Sequence, residues 1–279
     1  MVITIDQVNM ISDLLRDYNI NSSSAVPAPH NIMNDHSASA QLADPTAYRS
    51  LNMKLLYIAT RTRPDILFPT TVYATRSKSP TTIDYDRLIK VMEYLHGTST
   101  KCLTFSHSAP LSVNAYVDAS FNSHWDGRGH TGFTIFPDRF ASAAILVKSL
   151  KQKTCANSST EAELIALHEA VQCISWLSDV YLELGYDIKP VETYQDNKST
   201  IILSSEESLN FRGRSKFINR KYFGVYKHVT NGDIQLTYVG TEKMIADMLT
   251  KPLVGEQLRN FSISLLGSQA LRCDDPSMA

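Results

Sequence analysis

Four acidic residues occupy positions from which separate predicted elements could bring carboxylates together. Asp118 ends a predicted strand over 111–119, in which apolar and polar residues alternate. Asp196 ends a second predicted strand, Glu163 lies in the first turn of a long helix, and Asp247 lies on the last helix. Mg²⁺ prefers oxygen ligands, and two ions about 3.5–4 Å apart support phosphodiester hydrolysis. The pattern is therefore typical of a two-metal nuclease, although most of the 28 acidic residues are expected to be surface charges.

The elements that must position these carboxylates follow the order βββαβαβα, with one extra helix before the last strand. Strands are predicted at 102–105 (an edge strand), 111–119, 132–137, 140–149, 191–196 and 234–239. Ser158 and Glu161 have the spacing of a capping box, so the long helix begins there and ends near Gly185. Its apolar stripe and Trp176 are predicted to be core. This order predicts an α/β domain in which the strands carrying Asp118 and Asp196 are neighbours in a mixed sheet.

The first hundred residues show helical periodicity instead. Helices are predicted at 1–20, 47–60, 66–76 and 84–96. Segment 21–44 is rich in Ser, Asn, Ala and Pro, and is predicted to be a loop. Residues 1–105 are therefore expected to form a helical region.

Composition excludes several classes of protein. The 279 residues are 43% hydrophobic and 20% charged, as in an ordinary soluble globular chain, with a formal net charge of −1. No apolar run approaches the roughly 18 residues of a membrane span, and the start shows no signal peptide. The cysteines lack CxxC spacing, which predicts reduced thiols and a cytoplasmic or nuclear protein. They are Cys102, Cys155, Cys173 and Cys273.

Several long motifs, in order, resemble the ribonuclease H domain of copia-type LTR retrotransposon Pol polyproteins. They are Tyr116-Val-Asp118-Ala-Ser, Ser149-Leu-Lys-Gln-Lys153-Thr, Ser158-Ser-Thr-Glu-Ala-Glu163-Leu, Gln195-Asp196-Asn-Lys-Ser and Ile245-Ala-Asp247-Met-Leu-Thr-Lys-Pro252. The upstream segments Tyr48-Arg-Ser-Leu51, Leu56-Tyr57-Ile-Ala-Thr-Arg-Thr-Arg-Pro64-Asp65 and Tyr94-Leu95-His-Gly97-Thr are similar to the part of Pol between the polymerase palm and that domain.

The resemblance implies a fold, an activity and a set of site residues. The fold is a ribonuclease H-like mixed five-stranded sheet flanked by helices, and the activity is hydrolysis of the RNA strand of RNA–DNA hybrids. Asp118, Glu163, Asp196 and Asp247 would be the catalytic, metal-binding carboxylates, holding two Mg²⁺ ions, with Mn²⁺ as a substitute. Glu163 matches the family's helix glutamate, and Glu161 is predicted to be its capping neighbour.

The resemblance also implies a domain organisation and partners. Residues 1–105 would be a C-terminal helical part of reverse transcriptase, from its thumb or connection, 106–266 the ribonuclease H-like domain, and 267–279 a tail. The Tyr-Asp-Asp motif of the polymerase palm does not occur in the sequence, so no polymerase activity is expected. The palm of a parent polyprotein would be the upstream partner, in a virus-like particle.

Basic and polar residues near the predicted metal site are candidate contacts for phosphates and 2′-hydroxyls. They are Lys151, Lys153, Asn197, Ser199, Arg214, Lys216 and Arg220. The alternative for such residues is a solvated surface, and His124, Trp125 and His130 are expected to pack the loop after Asp118. At the level of function, two alternatives to the nuclease stay open. One is a catalytically silent remnant that binds nucleic acid or a partner, and the other is an inactive structural fragment.

Overall fold

The structure is a computed structural model that describes residues 2–34, 39–106, 111–138, 142–205 and 216–267, with 216–222 described as backbone only. The described part of residues 2–106 contains four α-helices and a two-stranded sheet. Its elements are β1 Val2–Ile5, α1 Val8–Asp17, α2 Pro45–Arg61, α3 Leu67–Ala74, α4 Thr82–Gly97 and β2 Leu103–Ser106. Within the described ranges, no helix combines the length and apolarity that a membrane span requires.

Local sequence explains where these helices begin. The Asp44 carboxylate accepts hydrogen bonds from the backbone N–H groups of Thr46 and Ala47, with Pro45 in the first turn. Thr81 and Asp84 form a complete capping box at the start of α4. The predicted edge strand at 102–105 is β2, which pairs antiparallel with β1 in a separate two-stranded sheet. The predicted helix over 1–20 is wrong at its start, because Val2–Ile5 form β1 and α1 begins at Val8. The four residues of β1 are too few for alternation to show a strand.

The centre of the fold is a mixed five-stranded sheet in the order β5-β4-β3-β6-β7. Its strands are β3 Asn114–Ser120, β4 His130–Phe136, β5 Leu146–Lys151, β6 Val191–Gln195 and β7 Ile234–Tyr238. The first three form an antiparallel meander, whereas β6 pairs parallel with both β3 and β7. The other elements include α5 Ser159–Glu183, α6 Lys198–Ser205, α7 Lys216–Thr230, a 3-10 helix Ile245–Leu249 and α8 Gly255–Leu266, with shorter 3-10 turns at Pro64–Ile66 and Thr241–Lys243. This is the predicted mixed sheet flanked by helices.

Each face of the sheet has its own core because side chains alternate along a strand. Ala115, Val117 and Phe133 pack with the apolar stripe of α5 on one face. On the other face, Tyr116 and Phe136 pack into a cluster that extends through α8 and the 3-10 helix into helices α1 to α4. The helical region therefore covers the face of the sheet that α5 does not.

Trp176 is not core, contrary to the prediction. Its side chain is 60% exposed, whereas Ile174 and Leu177 on the same helix are buried. Two residues advance about 200° around a helix, so Trp176 lies on the opposite side from Ile174.

Candidate metal centre

Three of the four predicted carboxylates converge. Asp118, Glu163 and Asp196 each offer an oxygen, and these oxygens lie within 4.8 Å of one another. Asp118 and Glu163 are buried, and Asp196 is half-buried. Three hard oxygen ligands at this spacing suit a small divalent cation.

Strand register brings the two aspartates together. The parallel pair β3–β6 aligns Tyr116 with Tyr194, and their rings stack 4.6 Å apart. Extending this register by two residues places Asp118 beside Asp196 at the carboxyl end of both strands. Sites of open α/β sheets form at such an end.

The first turn of α5 supplies the third carboxylate. Ser158 is the N-cap and accepts from the backbone N–H of Glu161. The Glu161 carboxylate accepts from the backbone N–H of Asn157, one residue before the cap, so only half of the predicted capping box forms. Glu163, one turn into the helix, is held by a 3.4 Å hydrogen bond from Gln195 Nε2.

Gln195 is a site residue that the sequence did not single out. While its Nε2 donates to Glu163, its Oε1 accepts from the backbone N–H groups of Asp196 and Asn197 at 2.9 and 3.2 Å. This fully buried side chain therefore fixes Glu163 relative to Asp196. The signals that the sequence offers are its place in the Gln195-Asp196-Asn-Lys-Ser motif and its position just before Asp196, at the end of β6.

Asp247 lies beside this trio and connects to it through Lys251. Lys251 Nζ is 2.7 Å from Asp247 Oδ1 and 3.5 Å from Asp118 Oδ2. The hydroxyl of Thr250 also donates to Asp118. The predicted final helix is thus a 3-10 helix over Ile245–Leu249, followed by two residues that contact Asp118.

A glycine lets this 3-10 helix lie against the sheet. Gly132 of β4 lies directly opposite Asp118 of β3 in the antiparallel pair of strands. A Cβ at this position would lie 2.6 Å from Thr250 Cγ2 and 2.8 Å from Leu249 Cβ. Any side chain here would push the 3-10 helix away from Asp118.

Burial and mutual repulsion dominate the electrostatics of the site. Burial, followed by the charge of Asp118, raises the pKa of Glu163 well above its ordinary value and raises the pKa of Asp196. The same two causes raise the pKa of Asp247 to about 7. Burial opposes the charge of Lys251, but Asp118 and Asp247 outweigh it and raise the pKa of its ammonium. Clustered carboxylates that repel one another in a buried site are a fitting ligand set for a divalent cation.

The predicted substrate contacts have different surroundings. Lys151 forms an ion pair with Asp126 at 2.7 Å and lies 4.2 Å above the Trp125 ring, so its charge is already compensated within the protein. Lys153 is exposed.

Of the polar candidates, Asn197 caps α6 by accepting from the backbone N–H of Thr200, and Ser199 is exposed. Arg214 lies outside the described residues. Lys216 and Arg220 lie in α7, in the part of the helix for which only the backbone is described.

A chain of buried hydrogen bonds connects the loop after β3 to β4, β5 and the 3-10 helix. Ser149 Oγ donates to the carbonyl of Leu249, so it accepts from His130 Nε2, and His130 Nδ1 accepts from His124 Nε2. Burial, then the charge of Lys151, lowers the pKa of His124 to about 4, and burial followed by His124 lowers that of His130. The two histidines pack as predicted, whereas Trp125 is 45% exposed.

The strand order and the carboxylates at the ends of β3 and β6 define a ribonuclease H-like fold. The structure of LC11-RNase H1, isolated from compost by a metagenomic approach, is similar to part of this chain. The alignment covers 50% of this chain and 94% of LC11-RNase H1, with a TM-score of 0.38 and 15% sequence identity. No protein-family model matches the chain.

Sequence comparison identifies the relatives. The retrovirus-related Pol polyprotein from transposon RE2 of Arabidopsis thaliana is 31% identical over 224 residues, which cover 80% of this chain. The Pol polyprotein from transposon TNT 1-94 of Nicotiana tabacum is 32% identical over 204 residues, or 73% of the chain. The chain is therefore homologous to Pol polyproteins of copia-type retrotransposons. It spans about 15% of the length of each of these relatives.

Proposed function

We propose that this protein is a divalent-cation-dependent endonuclease that hydrolyses the RNA strand of RNA–DNA hybrids, as part of a retrotransposon reverse transcriptase/ribonuclease H. The observation that carries the proposal is the convergence of Asp118, Glu163 and Asp196 within 4.8 Å. The fold and the homology to Pol polyproteins favour a nucleic-acid substrate over other phosphodiesters.

The residues of the site have separate tasks in this proposal. Asp118, Glu163 and Asp196 would hold Mg²⁺ or Mn²⁺, and Asp247 would extend the site toward a second ion. A divalent cation bound there activates water and stabilises charge on the reacting phosphate. Gln195 orients Glu163, and Thr250 orients Asp118. This support matters because carboxylates that ligate metals need fixed positions.

Exposed groups at the same edge would bind the substrate without reading its sequence. Lys153 and Ser199 are exposed and suit contacts with phosphates and 2′-hydroxyls. Asn197 offers its side-chain N–H₂ group, because its oxygen caps α6. We assign Lys151 a weaker role, since Asp126 already compensates its charge.

The polyprotein context is part of the proposal. The parent protein would provide a polymerase palm upstream, against which the helical region 1–105 docks, in the cytoplasm or nucleus. The division into 1–105, 106–266 and 267–279 remains a prediction.

The test is a cleavage assay of the full 279-residue chain on an RNA–DNA hybrid with labelled RNA. We expect cleavage in Mg²⁺ or Mn²⁺, none in EDTA, and none from Glu163→Gln, which keeps the shape of the side chain. Asp179→Asn is the matched control because Asp179 is exposed on the same helix. Hybrid binding without cleavage, by a folded protein with metal present, would instead identify a catalytically silent remnant.

A further inference from the structure

The ammonium group of Lys251 lies between two carboxylates of the site. Nζ is 2.7 Å from Asp247 Oδ1 and 3.5 Å from Asp118 Oδ2. Both carboxylates are buried, whereas the Lys251 side chain is 38% exposed. The lysine therefore reaches from the surface into the site and leaves its head group among charges that are shielded from water.

Asp118 belongs to two groups of carboxylates. With Glu163 and Asp196 it forms the trio that can hold a divalent ion. With Asp247 it forms a second pair of carboxylates, and Lys251 bridges this pair. The ammonium of Lys251 thus already lies between the carboxylates of this second pair.

We propose that Lys251 is a built-in cation that competes with a divalent ion for the Asp118–Asp247 pair. The inference rests on the proposed metal site and extends it. A first ion at the trio shares only Asp118 with Lys251, whereas a second ion at the Asp118–Asp247 pair has to displace Lys251 Nζ from both of its carboxylates. Displacement is feasible because a lysine head group is a hydrated point charge on a flexible stem, and this stem is partly in solvent.

This arrangement also explains how the ion-free protein tolerates its acidic site. Asp118 and Asp247 are buried like charges, and a bridging ammonium compensates both at once. Lys251 is therefore expected to stabilise the fold in the absence of metal and to weaken binding of the second ion. These opposite effects separate its role from that of an ordinary surface lysine.

Isothermal titration calorimetry of the full chain with Mn²⁺ measures the competition. We expect one tight and one weaker ion in the wild-type protein. In Lys251→Met, which keeps the length of the side chain without its charge, the second ion should bind at least about tenfold more tightly. Lys251→Arg should keep the second ion weak, because a cation still bridges the pair. An unchanged second affinity in Lys251→Met would overturn the proposal.

Melting in EDTA gives a readout that does not involve metal. Lys251→Met should melt below the wild-type protein, and the double variant Asp247→Asn/Lys251→Met should recover part of the loss, because one of the two uncompensated charges is then removed. No recovery would mean that Lys251 acts through packing, and the proposal fails. If the wild-type protein binds no Mn²⁺ at all, the proposed nuclease site fails first, and the two failures are thus distinguished.

Discussion

Asp118→Asn tests the electrostatic design of the site, because it removes a charge with almost no change of shape. After burial, the charge of Asp118 is the largest cause of the raised pKa values of Glu163, Asp196 and Asp247. At an effective dielectric of about 20, two carboxylate oxygens at the 4.8 Å limit of the trio repel by about 3 kcal/mol. The attraction between Asp118 and Lys251, at 3.5 Å, offsets one such repulsion.

The metal-free variant should therefore be at least as stable as the wild-type protein. Two repulsions within the trio are removed and one attraction is lost, so the net electrostatic change favours the folded variant. We expect the free energy of unfolding in EDTA to rise by about 1–3 kcal/mol, which raises the melting temperature by several degrees.

Three measurements on the same samples check this reasoning. Thermal melting in EDTA should give an equal or higher temperature for Asp118→Asn. Melting in Mg²⁺ should show a stabilisation of the wild-type protein by mass action that is much smaller in the variant. Hydrolysis of the hybrid should be lost. Asp179→Asn should match the wild-type protein in all three.

A lower melting temperature of Asp118→Asn in EDTA would refute the assignment. It would mean that Asp118 serves mainly as the acceptor for the Thr250 hydroxyl, a structural role.

Three further predictions concern the surroundings of the site. Gly132→Ala should destabilise the fold by about 1–3 kcal/mol and reduce cleavage, because the new Cβ meets the 3-10 helix; urea unfolding and the hybrid assay measure both. Asp65→Asn leaves Arg63 without its fully buried partner, and should cost about 3–5 kcal/mol in urea unfolding, whereas Asp179→Asn should cost nothing. The pKa of His124 is lowered to about 4 in the folded protein, so this histidine binds a proton in the unfolded chain first as the pH falls below about 6.5. By pH 4 the free energy of unfolding of the wild-type protein should therefore fall by about 3 kcal/mol relative to that of His124→Phe. Parallel profiles of unfolding free energy against pH for the two proteins would contradict this.

The sequence predicted best what depends on local periodicity. Alternation located β3 and the position of Asp118 near its end, and Ser158 marked the start of α5. Glu163 was chosen over Glu161 by family resemblance, and the structure places Glu163 in the trio and Glu161 at the helix cap.

Contacts between distant segments were beyond the sequence. Lys251 and Thr250 were visible only as part of a motif, because their partner Asp118 lies 132 residues from Thr250. Gln195 carries no charge, and it was visible only as the first residue of the motif that contains Asp196. Trp176 was predicted to be core from its residue type, although the helical period places it on the outer side.

The shared core beneath the sheet has a consequence for how this chain could be divided. Phe136 of β4 and Leu265 of α8 belong to the same apolar cluster as Leu55 and Leu95 of the helical region. A protease cut between α4 and β2 would sever the backbone and leave this cluster intact. The two pieces should then stay associated, and separately expressed halves should reassemble into one complex. The chain is thus a natural candidate for fragment complementation, in which the five-stranded sheet regains its full core only when the first hundred residues are supplied.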